Sequence, residues 1–116
     1  MFKFLKKFFR FKSKELEAML LPNEDCPYTG IGEIEASFYS DKTVSFELSI
    51  KHSRIPTGTE LEFYASKKKL GTVVSINGSN QNHLKYNSFI LDLNAGAKAE
   101  IKINNLVMYE GKFRLD

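Results

Sequence analysis

The 116-residue sequence has no tryptophan, one cysteine, three prolines and, through its first fourteen residues, no acid. One cysteine, Cys26, excludes an intrachain disulfide, so the fold must rest on its core, and a cytoplasmic setting fits. No apolar run approaches the roughly 18 residues of a membrane span. Lysines interrupt every candidate for the roughly 7–15-residue apolar core of a secretory signal. The expectation is a cytoplasmic protein that can meet a membrane only peripherally. The missing acid matters most. Lys3, Lys6, Lys7, Arg10, Lys12 and Lys14 give residues 1–14 a charge of +6, whereas the remainder holds 11 basic against 14 acidic residues, a charge of −3. Such asymmetry directs the first segment toward an anionic surface.

What is present suffices for one globular core: 42% hydrophobic residues, with ten Phe and five Tyr. At about 100° per residue, Phe2, Phe4, Leu5, Phe8, Phe9 and Phe11 fill one half of a helical wheel, and Lys3, Lys6, Lys7 and Arg10 the opposite arc. This predicts a basic amphipathic helix over residues 1–21. Leu16, Met19 and Leu20 extend the apolar arc, although Lys12 and Glu15 fall inside it. Lys12 could snorkel, or Ser13 could cap a second short helix over Lys14–Leu21. Pro22 ends the helix either way. Residues 22–30, with Pro27 and Gly30, read as a linker.

From residue 31 the period becomes 2. Ile34, Ala36 and Phe38, then Val44, Phe46, Leu48 and Ile50, alternate with polar residues around a Ser40-Asp41-Lys42 turn, which predicts a hairpin. Further strands are expected at Leu61–Ala65, Leu70–Ile76, Phe89–Leu93, Ala99–Ile103 and Val107–Leu115, the last with a bulge at Gly111. The Asn-rich stretch 77–82 reads as a loop. Seven short strands, each with one buried face, predict an all-β domain over residues 31–116. The favoured form is a seven-stranded antiparallel β-sandwich of Ig-like kind; a small closed barrel is the alternative.

Patterns that carry chemistry are scarce. His52 and His83 stand at no metal-ligand spacing. Cys26 follows Glu24 and Asp25, whose charge disfavours a thiolate. Glu33, Glu35, Glu47, Glu60 and Glu62 have the solvent parity of their strands, as on any half-buried sheet. Lys67-Lys68-Lys69 and Lys85, near Tyr39, Tyr64 and Tyr86 read as outward, could stack and neutralise nucleic acid. The net acidity of the β domain opposes that reading. Neither catalytic residues, nor a metal, nor a cofactor is expected.

The remaining expectation is a non-enzymatic accessory or adaptor subunit that docks through its first segment to an anionic membrane surface or a larger protein assembly. Phe2, Lys3, Phe4, Leu5, Lys6, Lys7, Phe8, Phe9 and Arg10 are the docking residues. Packing of the helix on its own domain is the bland reading. The rival function is a small sugar- or peptide-binding module using the loops around 52–59 and 77–87.

Overall fold

A computed structural model describes residues 11–87 and 92–116. It contains eight strands: β1 (Lys12–Pro22), β2 (Ile31–Tyr39), β3 (Val44–Lys51), β4 (Glu60–Ala65), β5 (Lys68–Val74), β6 (Asn80–Tyr86), β7 (Lys98–Ile103) and β8 (Leu106–Leu115). All pairings are antiparallel, in the order β5-β4-β7-β8-β1-β2-β3-β6. The sheet curls until its edge strands β5 and β6 meet. The fold is therefore all-β and antiparallel, in one nearly closed, barrel-like sheet of eight strands. This replaces the seven-stranded sandwich.

The second correction concerns Lys12–Pro22, which is a strand and not helix; the described residues contain no helix. Leu16, Ala18 and Leu20 are fully buried, whereas Met19 is 44% exposed, the reverse of its place on the helical wheel. The interior parity is 2, and it leaves Glu15 and Glu17 pointing outward where the helix would have placed Glu15 among apolar residues. Partners on both sides decide the matter, because β1 lies between β8 and β2 and its backbone groups are taken up by two ladders. Ser13, read as a helix cap, is a bulge between Lys12↔Tyr39 and Lys14↔Phe38, and its hydroxyl donates to Phe38 O. Residues 1–10 lie outside the described residues.

The alternation read from residue 31 onward locates the core. Ile34, Ala36, Phe46, Leu48, Ile50, Leu61, Phe63, Ala65, Ala99 and Ile101 are fully buried. Tight turns set the registers. Ser66 and Lys67, Asn77 and Gly78, and Asn104 and Asn105 all have positive φ, the pattern of two-residue hairpin turns whose twist matches the strands. Asp41 Oδ1 accepts from Thr43 N–H and fixes the β2–β3 turn. The bulge expected at Gly111 lies at Met108 instead, where the β7–β8 register shifts. Gly111 has another task. A Cβ there would stand 2.1 Å from Met19 O, so its bare backbone lets β1 press against β8.

Residues 22–30 are tied to the barrel. Asn23 Nδ2 donates to Val107 O, and the buried Tyr109 hydroxyl donates to Thr29 O at 2.6 Å. Burial pushes the Tyr109 phenol well above its ordinary value, and Cys26 beside it acts the same way. Of the expected strand Phe89–Leu93, residues 89–91 lie outside the described residues, and Leu93 is buried but not in a strand.

Candidate docking surfaces

Each docking residue from Phe2 to Arg10 lies outside the described residues, but the point where that segment joins the barrel is defined. Phe11 is 62% exposed, its carbonyl accepts from Ser40 N–H, and its N–H donates to Ser40 Oγ. The segment thus leaves from the barrel end that carries the β2–β3 turn. Cations gather at this end. Lys14 Nζ lies 4.6 Å from the centre of the Phe38 ring and donates to Leu93 O, and Lys12 pairs with Glu15 at 3.2 Å. Leu115, 67% exposed, adds apolar surface beside Lys12 and Lys14.

The outward face of β1, β2 and β3 has the opposite sign. Register puts Glu17, Glu35 and Glu47 directly opposite one another across three strands, with Arg114 next to Glu17 and His83 next to Glu47. Among the described residues no Lys or Arg forms an ion pair with these three glutamates. Partial burial raises the Glu35 carboxyl above its ordinary value, and Glu47, Glu17, Glu15 and Glu33 push it further the same way. Sequence parity placed Glu35 and Glu47 outward, whereas Glu17 fell in the expected helix; only the strand order could align the three in a row.

His83 Nε2 lies 2.7 Å from Ser45 Oγ on the same face. A serine–histidine pair suggests a nucleophile. Yet Ser45 faces Ser37 on one side and Lys85 on the other, so nearby N–H groups lie along ladders within the sheet. They do not point at the site of an oxyanion above the hydroxyl. His52 is exposed at the opposite end of the barrel, where its N–H donates to Ser79 Oγ. The structure does not bring the two histidines together. Among the described residues no three His, Cys, Asp or Glu side chains converge on a metal position.

The two loops of the rival reading do meet. Ser53 Oγ donates to Gly78 O, Ser75 Oγ to Ile55 O, and Asn77 N–H to Thr57 Oγ1. Their polar groups are largely spent on each other, closing this end of the barrel. Beside them an open polar cleft of about 510 Å³ runs from Gly58 and Glu60 to Asn104 and Asn105. Asn80–Tyr86 is no loop but strand β6, paired throughout with β3. Its inner parity carries Asn80, Asn82, Leu84 and Tyr86, whose partners across the ladder are Ile50, Leu48, Phe46 and Val44. Tyr86, expected to face outward, is half-buried edge-on to Phe46, with ring centres 5.7 Å apart. Tyr64 does face outward and carries Lys102 Nζ 4.5 Å from its ring centre. The stacking platform for nucleic acid is reduced accordingly. Leu84 and Tyr86 at alternate positions were the strand signal in this segment, and Asn80 and Asn82, residues disfavoured in strands, concealed it.

The sequence matches no protein-family profile and no curated protein.

Proposed function

We propose that this protein is a non-enzymatic docking module whose first ten residues bring the barrel, end-on, to an anionic membrane surface. One observation carries the reading: the acid-free first segment joins the barrel through Phe11 at the end that carries the β2–β3 turn. Residues 1–14 carry a charge of +6, and the Glu17-Glu35-Glu47 row, which no Lys or Arg pairs among the described residues, lies further along β1, β2 and β3 from that end. From Lys12 to Glu17 is five residues, about 17 Å of strand. That is about two Debye lengths at physiological ionic strength, so the row does not cancel the attraction at the barrel end. It does disfavour any pose that lays the acidic face on the membrane.

Magnitude decides which residues matter. Lys3, Lys6, Lys7 and Arg10 supply about 1 kcal/mol each near an anionic leaflet, about 4 in all, which alone gives only millimolar affinity. The rest must come from Phe2, Phe4, Leu5, Phe8 and Phe9. Each contributes about 1.5–3 kcal/mol when buried, less the cost of ordering the segment. Their segregation from the cations at helical spacing lets both classes engage one interface.

The test is co-sedimentation with anionic and neutral vesicles at low and high salt, using the intact chain and a form lacking residues 1–10. The intact chain is expected to pellet with anionic vesicles at low salt and to be released by salt. Phe8→Glu is expected to abolish binding, and Lys6→Glu with Arg10→Glu to weaken it on anionic lipid only. Retention of the intact chain in the supernatant at low salt sinks the membrane reading and leaves docking to a protein assembly.

A further inference from the structure

The two edges of the sheet are where the barrel is least finished. Strands β5 and β6 are consecutive and joined by the Asn77-Gly78 turn, with Ile76 and Ser79 pairing across it. A hairpin that starts this way normally continues as a ladder. Here the backbone pairing stops after that one pair, and side chains of β6 bridge the gap. Asn80 Nδ2 donates to Val74 O at 2.7 Å, Asn82 Nδ2 to Thr72 O at 3.1 Å, and the Tyr86 hydroxyl to Leu70 O at 2.5 Å. Asn82 serves both edges at once, since its Oδ1 accepts from His83 N–H at 2.9 Å. Its amide stands where a peptide group of a neighbouring strand would stand. Leu84 lies between these contacts over Gly71, where a Cβ would come within 2.5 Å of Leu84 Cδ1, and holds the strands apart as a wedge.

We propose that the β5–β6 seam is a latched strand-pairing surface whose occupant is a second copy of this chain. With the amides released, the β5 edge of one copy pairs with the β6 edge of the other, and the reverse pairing closes the dimer about a two-fold axis. The sequence of the seam argues for this occupant. The β6 edge already runs antiparallel to β5 and is in register with it at Ile76 and Ser79, so an identical chain supplies a matched edge without any new complementarity. The side-chain bonds stand at Leu70, Thr72 and Val74, the alternate β5 positions whose carbonyls a true ladder would engage. Such a latch is a means of silencing edges that would otherwise pair between molecules.

Sedimentation equilibrium of the wild type and of Asn80→Ala/Asn82→Ala, with amide hydrogen exchange on both, tests the proposal. The double variant is expected to associate at least tenfold more tightly, and its dimer to gain protection in β5 and β6 alone. Gln81→Ala, of the opposite parity on β6, is the control and is expected to match the wild type. A folded double variant with unchanged association overturns the proposal, as does new protection that maps elsewhere. Should the double variant fail to unfold cooperatively, Asn82→Ala, which leaves two of the three seam bonds, takes its place. It is expected to show the same effect in smaller degree, and an unchanged association constant there overturns the proposal equally.

Discussion

Gly111→Ala tests the central position of β1 most directly. The added methyl would sit 2.1 Å from Met19 O and 2.9 Å from Met19 C. An ordinary carbon–oxygen approach is about 3.3 Å, so the strands must part by about 1 Å. A flexible side chain could turn aside, but the obstacle is backbone of a strand held by ladders on both sides. Leu16, Ala18 and Leu20 on that strand are fully buried, so a shift opens the core as well. Overpacking costs about 1–3 kcal/mol, and a rigid obstacle puts this change at the upper end, about 3 kcal/mol. For a chain of this size that lowers Tm by about 10 °C. Gly58→Ala is the control. Its φ is +94° with nothing within 4 Å of the new methyl, so it bears only the left-handed backbone cost of about 1–2 kcal/mol. Urea denaturation with comparison of m values separates a stability change from a change of unfolded state. If Gly111→Ala costs no more than Gly58→Ala, β1 does not press on β8 and its central placement is wrong.

Deletion of residues 1–10 is expected to leave a cooperative thermal transition, whereas deletion of residues 1–22 is expected to abolish it, because β2 and β8 each lose a partner and Leu16 and Leu20 leave the core. Circular dichroism melts of both truncations check this. Phe46→Ala and Ile101→Ala are each expected to cost about 2–5 kcal/mol, while Glu47→Ala and Lys102→Ala, one residue along, are expected to cost under about 1 kcal/mol; equal costs in chemical denaturation would refute the inward parity. Glu35→Gln is expected to stabilise the protein at pH 7, by about 0.2–1 kcal/mol for each like-charged cross-strand neighbour relieved. The Glu35 pKa is raised on folding. The native state therefore binds this proton more tightly, and the stability it confers is complete below the unfolded value and lost as pH rises through the folded one. The advantage of the Gln variant should accordingly shrink as pH falls through that window, and added salt should reduce it at pH 7; a gain indifferent to both would show that repulsion along the row is not its cause.

How far the sequence determined this protein can be read strand by strand. Where a segment buries one face and wets the other, period 2 is written in the residues, and Ile34–Phe38, Val44–Ile50, Leu61–Ala65 and Ala99–Ile103 were legible as β2, β3, β4 and β7 with their inward sides. So were the turns at Ser40–Lys42 and Asn104-Asn105, because local φ preferences decide them. β1 was not legible. Leu16, Met19 and Leu20 suit a helical arc, Leu16, Ala18 and Leu20 suit a strand, and only the waiting edges of β2 and β8 choose between them. β6 was hidden for a related reason. Its inner face carries Asn80 and Asn82, polar residues that a loop would also use, and they are acceptable there only because β5 offers carbonyls across the seam. The Glu17-Glu35-Glu47 row required strand order as well as parity. The separation of a cationic first segment from an acidic remainder, by contrast, needed no fold at all. Periodicity and charge are properties of neighbours in sequence, whereas closure of the sheet and the pairing of its edges belong to neighbours in space, which only the assembled barrel supplies.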